Sequence, residues 1–255
     1  MRDTTPEASA QLHSGGQRIA FFGGSFDPPH LGHLAVARAA LAALGLDCVL
    51  FAPVGAQPLK LQGSTASFED RLELTRLAIA GESGFAVTLA DAPKPSGVPN
   101  YTIDTLLKLH AELGKDAVLF CLMGADAFFG LWQWHRSAEI PFVAPLIVAS
   151  RPGQRLELLI DDLKAALPTG LTIGTESGID ELRSGVELRS FVLQNPQGQT
   201  TTLYLLPSLD VEISASQVRD QIREELRSAD GASSVENQLL PAPVFEAIRA
   251  RGLYR

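Results

Sequence analysis

From Arg18 to Pro53 the sequence reads RIAFFGGSFDPPHLGHLAVARAALAALGLDCVLFAP. Two continuous apolar runs, Arg18 to Phe22 and Cys48 to Ala52, flank the alanine- and leucine-rich stretch Leu31 to Leu44. Unbroken apolar runs suit strands buried on both faces of a parallel sheet, whereas half-exposed strands alternate. Alanine and leucine enter a helix at little cost, and Gly45 is placed to stop it in the left-handed conformation. Strand, helix and strand in succession make a βαβ unit, whose crossover is expected to be right-handed.

The same alternation continues outward. A second helix is expected after Ser67, with Asp70 three positions on as in a capping box; Leu72, Leu74, Leu77 and Ile79 fit one face only roughly. Thr102 is expected to cap a third helix that turns Ile103, Leu106, Leu107 and Leu113 inward. Ala117 to Met123 and Pro145 to Ala149 supply further buried strands. The predicted fold class is α/β, a Rossmann-like open and mostly parallel sheet with helices on both faces, which binds ligands at the carboxyl ends of its strands. After Arg151 the pattern loosens. Gln154 to Leu167 reads as a helix, and Val186–Leu193 and Thr200–Leu206 read as a hairpin around QNPQGQ. A helix from Ser214 to about Arg227 and another from Pro241 to Arg251 form a small C-terminal helical part, 214–252. Residues 18–255 thus read as one domain with an atypical segment at 168–201, preceded by a flexible tail, 1–17.

Composition narrows the function classes. With 45% hydrophobic residues and 22 glycines in 255, the chain is an ordinary globular one. It contains no apolar run of about eighteen residues, so no membrane-spanning helix is expected. Met1 to Gln17 lacks the apolar middle region of a secretory signal. The two cysteines, Cys48 and Cys121, each sit in a strand-like apolar run and read as free thiols in a reducing cytoplasm. A net charge of −8 argues against a general nucleic-acid binder but leaves room for a small anion in a locally positive pocket. Neither nucleic acid nor membrane is expected as a partner, and a homo-oligomer is left open.

Two segments carry chemistry. GGSFDPPHLGH, 23–33, lies between the first strand and the first helix. Its glycines, Gly23 and Gly24, let the backbone pass close to a ligand, and Pro28 and Pro29 stiffen the loop. His30 and His33 stand three apart where a helix begins, so both imidazoles can share a face beside N–H groups suited to phosphate. Either ring could simply cap the helix, but two of only five histidines fall in one glycine-proline loop. A shared zinc is the competing reading; no third ligand recurs at helical spacing nearby, and Asp27 is expected to bond its own backbone. The second segment, ISASQVR at 213–219, opens a helix with Ser214 as N-cap. Ser216 and Arg219 follow on the first turn's polar face, where hydroxyl, free N–H groups and guanidinium suit adjacent phosphates.

Together these segments resemble the nucleotidyltransferase superfamily related to class I aminoacyl-tRNA synthetases, which pairs an HxGH motif with a late ISxxxxR-type motif. From about Arg18 to Tyr254 the chain is more closely similar to the bacterial nicotinate-nucleotide adenylyltransferases. The further matching stretches are PVGAQPLK at 53–60, EDR at 69–71, PNYTIDTL at 99–106, GAD at 124–126, WH at 134–135, RPG at 151–153 and LLPAPVFEAIRARGLY at 239–254. YTIDTL, together with GAD followed by WH, is what singles out this family.

The resemblance implies transfer of AMP from ATP, brought with Mg²⁺, to nicotinate mononucleotide. The products are nicotinate adenine dinucleotide and pyrophosphate, in NAD biosynthesis in the cytoplasm. No covalent intermediate and no protein-held metal are implied. His30 and His33 would be the catalytic donors to the phosphates; Gly23, Gly24, Ser25, Phe26, Gly124, Asp126, Ser214, Ser216 and Arg219 would complete the ATP site, with Asp126 on the ribose. Lys60, Tyr101, Thr102, Ile103, Trp134 and His135 would hold the mononucleotide, Trp134 by stacking on its pyridine ring. Trp132 reads as a core aromatic, and Asp70 and Arg71 as a structural pair. The chain departs from the family at QPLK, where PPHK is common, so that Leu59 replaces a histidine. It departs again at ISAS, where ISST is frequent, and at Ser137, where a second tryptophan is. Activity on nicotinamide mononucleotide or phosphopantetheine, or a non-catalytic nucleotide-sensing role, are the alternatives.

Overall fold

Apolar runs without polar alternation belong in the middle of a sheet covered on both sides, and β1 (Arg18–Gly24), β2 (Cys48–Pro53), β4 (Val118–Gly124) and β5 (Leu146–Ala149) lie there. The computed structural model describes residues 16–59, 63–95, 97–150, 156–181, 187–206, 213–227 and 239–255. β3 (Phe85–Val87), β6 (Thr172–Glu181), β7 (Glu187–Gln194) and β8 (Thr200–Leu206) complete one sheet among these residues, in the order β3-β2-β1-β4-β5-β8-β7-β6. From β3 to β8 the pairings are parallel, with Phe21 level with Leu50 on one side and Cys121 on the other; β8, β7 and β6 pair antiparallel.

Along β1 successive side chains point to opposite faces, and each face has its own core. Ala20 and Phe22 pack with α1 (Leu31–Leu44), α2 (Phe68–Ile79), α7 (Ala215–Arg227) and α8 (Ala242–Arg251). Ile19 and Phe21 pack with α3 (Thr102–Leu113), α4 (Ala125–Phe129), α5 (Ile140–Val143) and α6 (Leu156–Ala165). The C-terminal helices are therefore part of the main core: Val218, Ile222, Val244, Phe245 and Ile248 are buried with Ala20 and Leu34.

Gly45 ends α1 at φ 55, as its sequence position predicts, and Ser67 caps α2 by accepting from the Asp70 N–H. Four expectations change. Residues 1–15 of the expected tail lie outside the described residues, but Gln17 is not tail, since its carbonyl accepts from Val118 N–H. The buried face of α2 is Arg71, Leu74, Thr75, Ala78 and Ile79, so the irregular leucine spacing reflects a charged residue facing inward. In α3, Leu107 is exposed while Leu109 is buried. The atypical 168–201 segment contains β6 and β7, which widen the sheet beyond β8; Asn195 closes the β7–β8 turn by accepting from the N–H groups of Gln197 and Gln199.

Candidate active site

In a sheet of this order the chain leaves β1 toward β2 on one side and returns to β4 on the other, which opens a crevice at the carboxyl ends of β1 and β4. A cleft of about 590 Å³ lies there, bordered by Gly23, Gly24 and Met123 at the strand ends and by Asn100, Tyr101 and Trp134 opposite.

The loop after β1 borders the cleft through Gly23 and Gly24, while His30, His33, Asp126, Ser214, Ser216 and Arg219 do not line it. His30 is the N-cap residue of α1, in extended conformation, and His33 is in the helix's first turn. The His30 backbone N–H donates to His33 Nδ1 at 3.1 Å. A neutral His33 ring thereby carries its proton on Nε2 and is a fixed donor. The two rings face each other with centroids 3.7 Å apart, and His33 also meets the Phe26 ring edge to face at 5.0 Å. Gly32 permits this: a Cβ there would lie 3.0 Å from His30 Nδ1. That Nδ1 is buried and has no partner among the described residues. Burial pushes the His30 imidazole down to about 4. His33 is held well below the ordinary range by its own burial first and by His30 second. Both are therefore neutral near pH 7 and poised to gain from an incoming anion.

The late motif meets this loop from α7. Arg219 Nη1 donates to the Asp27 carbonyl at 2.7 Å and Nη2 to Ser216 Oγ at 3.2 Å, joining segments 192 residues apart. Ser214 accepts from Gln217 N–H, as an N-cap does, and both serines are exposed. Asp27 does not bond its own backbone as the turn chemistry suggests. Its buried carboxylate accepts from the N–H groups of Thr65 and Ala66 and from the Tyr254 hydroxyl. Nor do Asp70 and Arg71 pair. Asp70 binds Arg251 and Ser67, and the buried Arg71 donates to the carbonyls of Ser25, Val54 and Ala66.

The opposite wall begins at α3. Tyr101, not Thr102, is the N-cap residue, and it supplies no side-chain cap; Thr102 is the first helical residue. The first N–H groups of a helix have no intrahelical acceptor, so those at Thr102 and Ile103 are suited to an anion. Tyr101 stacks on His135 with centroids 4.4 Å apart, and Trp134, half-buried, borders the same cleft. Trp132, expected in the core, is 60% exposed and lies outside this cleft. Asp126 is exposed at the start of α4, which follows directly on Gly124 at the end of β4. Lys60 and the stretch 151–153 lie outside the described residues. Leu59 borders the cleft, 58% exposed, and Gln57 accepts from Ser25 Oγ at 3.1 Å.

Three cleft features escape sequence reading. Asn100 clamps two loops, accepting from Ala56 N–H and donating to the Ala92 carbonyl. Asp91, buried, accepts from Thr105 Oγ1 at 2.8 Å; its burial raises its carboxyl above the ordinary range, against the hydroxyl's opposing pull. Asp91 and Asn100 both precede the YTIDTL string as ordinary polar residues, a signal that does not distinguish a clamp from a solvated loop. Cys121 lines the floor, and burial pushes its thiol up to about 12, which leaves it protonated and not nucleophilic. Among the described residues no group of three or more His, Cys, Asp or Glu converges as a metal site, and no helix is long and apolar enough to cross a membrane.

A loop of glycines and histidines after the first strand is met by a late arginine from the same face of a mostly parallel sheet, and the cytidylyltransferase-like family matches residues 21–221, which makes the chain a nucleotidyltransferase. The chain is 36% identical over 239 residues to "Probable nicotinate-nucleotide adenylyltransferase" of Gloeobacter violaceus, covering 94% of this chain and 97% of that one. It is 33% identical to the protein of the same name in Dechloromonas aromatica, over 93% and 97% of the two chains. It belongs to the nicotinate-nucleotide adenylyltransferase family. The solved structure of Plasmodium falciparum nicotinic acid mononucleotide adenylyltransferase complexed with NaAD shares the fold, at TM-score 0.62 and 15% identity over 93% of this chain and 97% of that one.

Proposed function

We propose that the chain transfers AMP from Mg-ATP to nicotinate mononucleotide, forming nicotinate adenine dinucleotide and pyrophosphate for NAD biosynthesis. The carrying observation is the two-walled cleft at the β1–β4 switch point. On one side Gly23 and Gly24 lead into the loop that carries His30 and meets Arg219 at Asp27, and on the other Trp134 stands beside an uncapped helix N-terminus.

In this reading an oxygen of the mononucleotide 5′-phosphate attacks the α-phosphorus of ATP in line. The bond from that phosphorus to the oxygen bridging to the β-phosphate breaks, and pyrophosphate departs with its Mg²⁺. Magnesium enters as the counter-ion of the ATP phosphates, in keeping with its usual binding to phosphate oxygens. Positioning and charge stabilisation do the catalytic work. His33 Nε2 and His30 donate to the α-phosphate as charge builds, while Arg219, Ser214 and Ser216 hold the β- and γ-phosphates. Gly124 and Asp126 border the adenosine, with Asp126 on the ribose hydroxyls. Trp134 stacks on the pyridine ring, near the Tyr101–His135 pair, and Lys60 completes the mononucleotide site.

The N–H groups of Thr102 and Ile103 face the ring substituent, so a carboxylate is favoured over an amide. An amide presents its NH₂ to one of those donors and leaves it unpaired, at a cost of about 1–3 kcal/mol. A lost charge-assisted bond adds to that. The expected preference is on the order of 10²-fold in kcat/KM, at tenfold per ~1.4 kcal/mol. Pyrophosphate release measured side by side with nicotinate and nicotinamide mononucleotides decides it. A ratio near one makes the enzyme dual-specific and overturns the assignment.

A further inference from the structure

Arg71 is the largest fully buried side chain of the described residues, 2% exposed, and it stands on α2, outside every segment so far given a role with substrate. Burying a guanidinium is unfavourable unless its donors and charge are matched. Here the donors go to three carbonyls from three separate segments: Ser25 after β1, Val54 after β2 and Ala66 before α2. The counter-charge is Asp27, itself buried and held by Thr65, Ala66 and Tyr254.

The Ser25 contact fixes the orientation of a peptide. Across a trans peptide the carbonyl and the following N–H point in opposite directions, so Arg71 turns the Phe26 N–H away from itself. Among the described residues no backbone carbonyl of the loops and turns accepts from that N–H. Phe26 has φ 47, a left-handed conformation rare for a large side chain and one that persists only where its surroundings impose it. Its ring is buried against Phe22, Phe51 and His33, and Arg71 grips the peptide just before it. One residue further on, Arg219 grips the Asp27 carbonyl.

We propose that Arg71 is a positioning residue for the transfer: it holds the Ser25–Phe26 peptide so that the Phe26 N–H donates to the phosphate chain of ATP, with Asp27 and Tyr254 as its counter-anchor. The inference rests on the ATP-dependent reading above. A lysine cannot reach three carbonyls at once, so Arg71→Lys frees this peptide while keeping the charge. Tyr254→Phe removes one hydroxyl from the counter-anchor and nothing else.

The test uses the full chain in both variants. The readouts are melting temperature, kcat, KM for each substrate, and calorimetric affinity for a non-hydrolysable ATP analogue. Arg71→Lys is expected to raise KM for ATP and weaken the analogue about tenfold, lower kcat by a similar factor, and leave mononucleotide KM within about twofold. Tyr254→Phe is expected to move the same quantities in the same direction by a smaller factor. A merely structural Arg71 would lower the melting temperature and the active fraction with ATP affinity unchanged. That result, or an equal change in both KM values, overturns the proposal; if Arg71→Lys does not fold, Tyr254→Phe alone decides. A wild-type chain that releases no pyrophosphate with any pyridine mononucleotide sinks the reaction assigned above, while the analogue affinity still judges Arg71.

Discussion

Two imidazoles stacked 3.7 Å apart cannot both carry a proton at modest cost, since unit charges at about 4 Å in a protein interior repel by roughly 4 kcal/mol at an effective dielectric of 20. Near pH 7 neither is charged in the free protein, and in the proposed transfer their donors meet the charge that develops on the α-phosphate. His30→Ala and His33→Ala should each cut turnover by about 10²–10³-fold, as for other preorganised donors, with mononucleotide affinity changed much less. A double variant with near-normal turnover would remove both from the mechanism. Buried neutral histidines also leave a mark on stability. His30 titrates near 4 when folded, against about 6.5 unfolded, so between these values the unfolded chain binds a proton that the folded chain does not. Stability is therefore full above about pH 6.5 and falls as pH drops toward 4, by roughly 3 kcal/mol from His30 alone, with His33 acting in the same direction. Urea unfolding at pH 7 and pH 5 should show this loss in the wild type and a smaller one in His30→Asn. Equal losses would mean that His30 is not buried in its neutral form. The His-x-x-His spacing was plain in the sequence, but its electrostatics were not, because the tautomer and the unpartnered Nδ1 depend on how Gly32 lets the ring fold back.

At the scale of elements, β1, α1 and β2 were legible because an unbroken apolar run and an alanine-leucine stretch each have one favoured setting. The inward face of α2 and the presence of β6 were not. α2 conceals a buried arginine, and periodicity treats every arginine as exposed. β6 reads TIGTESGIDE, too polar to announce a strand, and it forms only because β7 lies beside it. The start of α3 was misplaced by one residue because Thr102 is the better capping type, yet Tyr101 occupies the position. α7 is the element whose function depends most on a distant partner: its first turn acquires meaning only where Arg219 reaches the loop after β1. A lysine there keeps the charge but loses the fork that spans the Asp27 carbonyl and Ser216. Arg219→Lys should raise KM for ATP about tenfold, the equivalent of one charge-assisted bond of about 1.4 kcal/mol, and spare the mononucleotide. Equal changes in both KM values would assign Arg219 to folding instead.

Across the whole molecule, both sides of the cleft hang from one sheet, but the loop after β1 is held from further away than the sequence suggests. The loop after β1 is fixed by α2 through Arg71, by α7 through Arg219, and by the residues after α8 through Tyr254. α8 belongs to the C-terminal helical part that the sequence assigns to the one domain, although a polar stretch of the kind that often separates units precedes it. Its inward residues share a core with β1 and α1, where Phe245 is 1% exposed. Phe245→Ala should therefore destabilise the entire domain, by about 3–5 kcal/mol, the usual range for deleting a buried phenyl ring. Because the same core underlies α1, the loss should appear as one transition, coincident by tryptophan fluorescence, which reports the cleft through Trp134, and by far-ultraviolet circular dichroism. Binding of an ATP analogue, which involves the loop anchored by Tyr254, should recover part of the lost stability, since a ligand that binds only the folded state raises its population. An early, small transition that leaves the Trp134 signal intact would instead make α8 a separately folding attachment, and Tyr254 could then not be a fixed anchor of the loop.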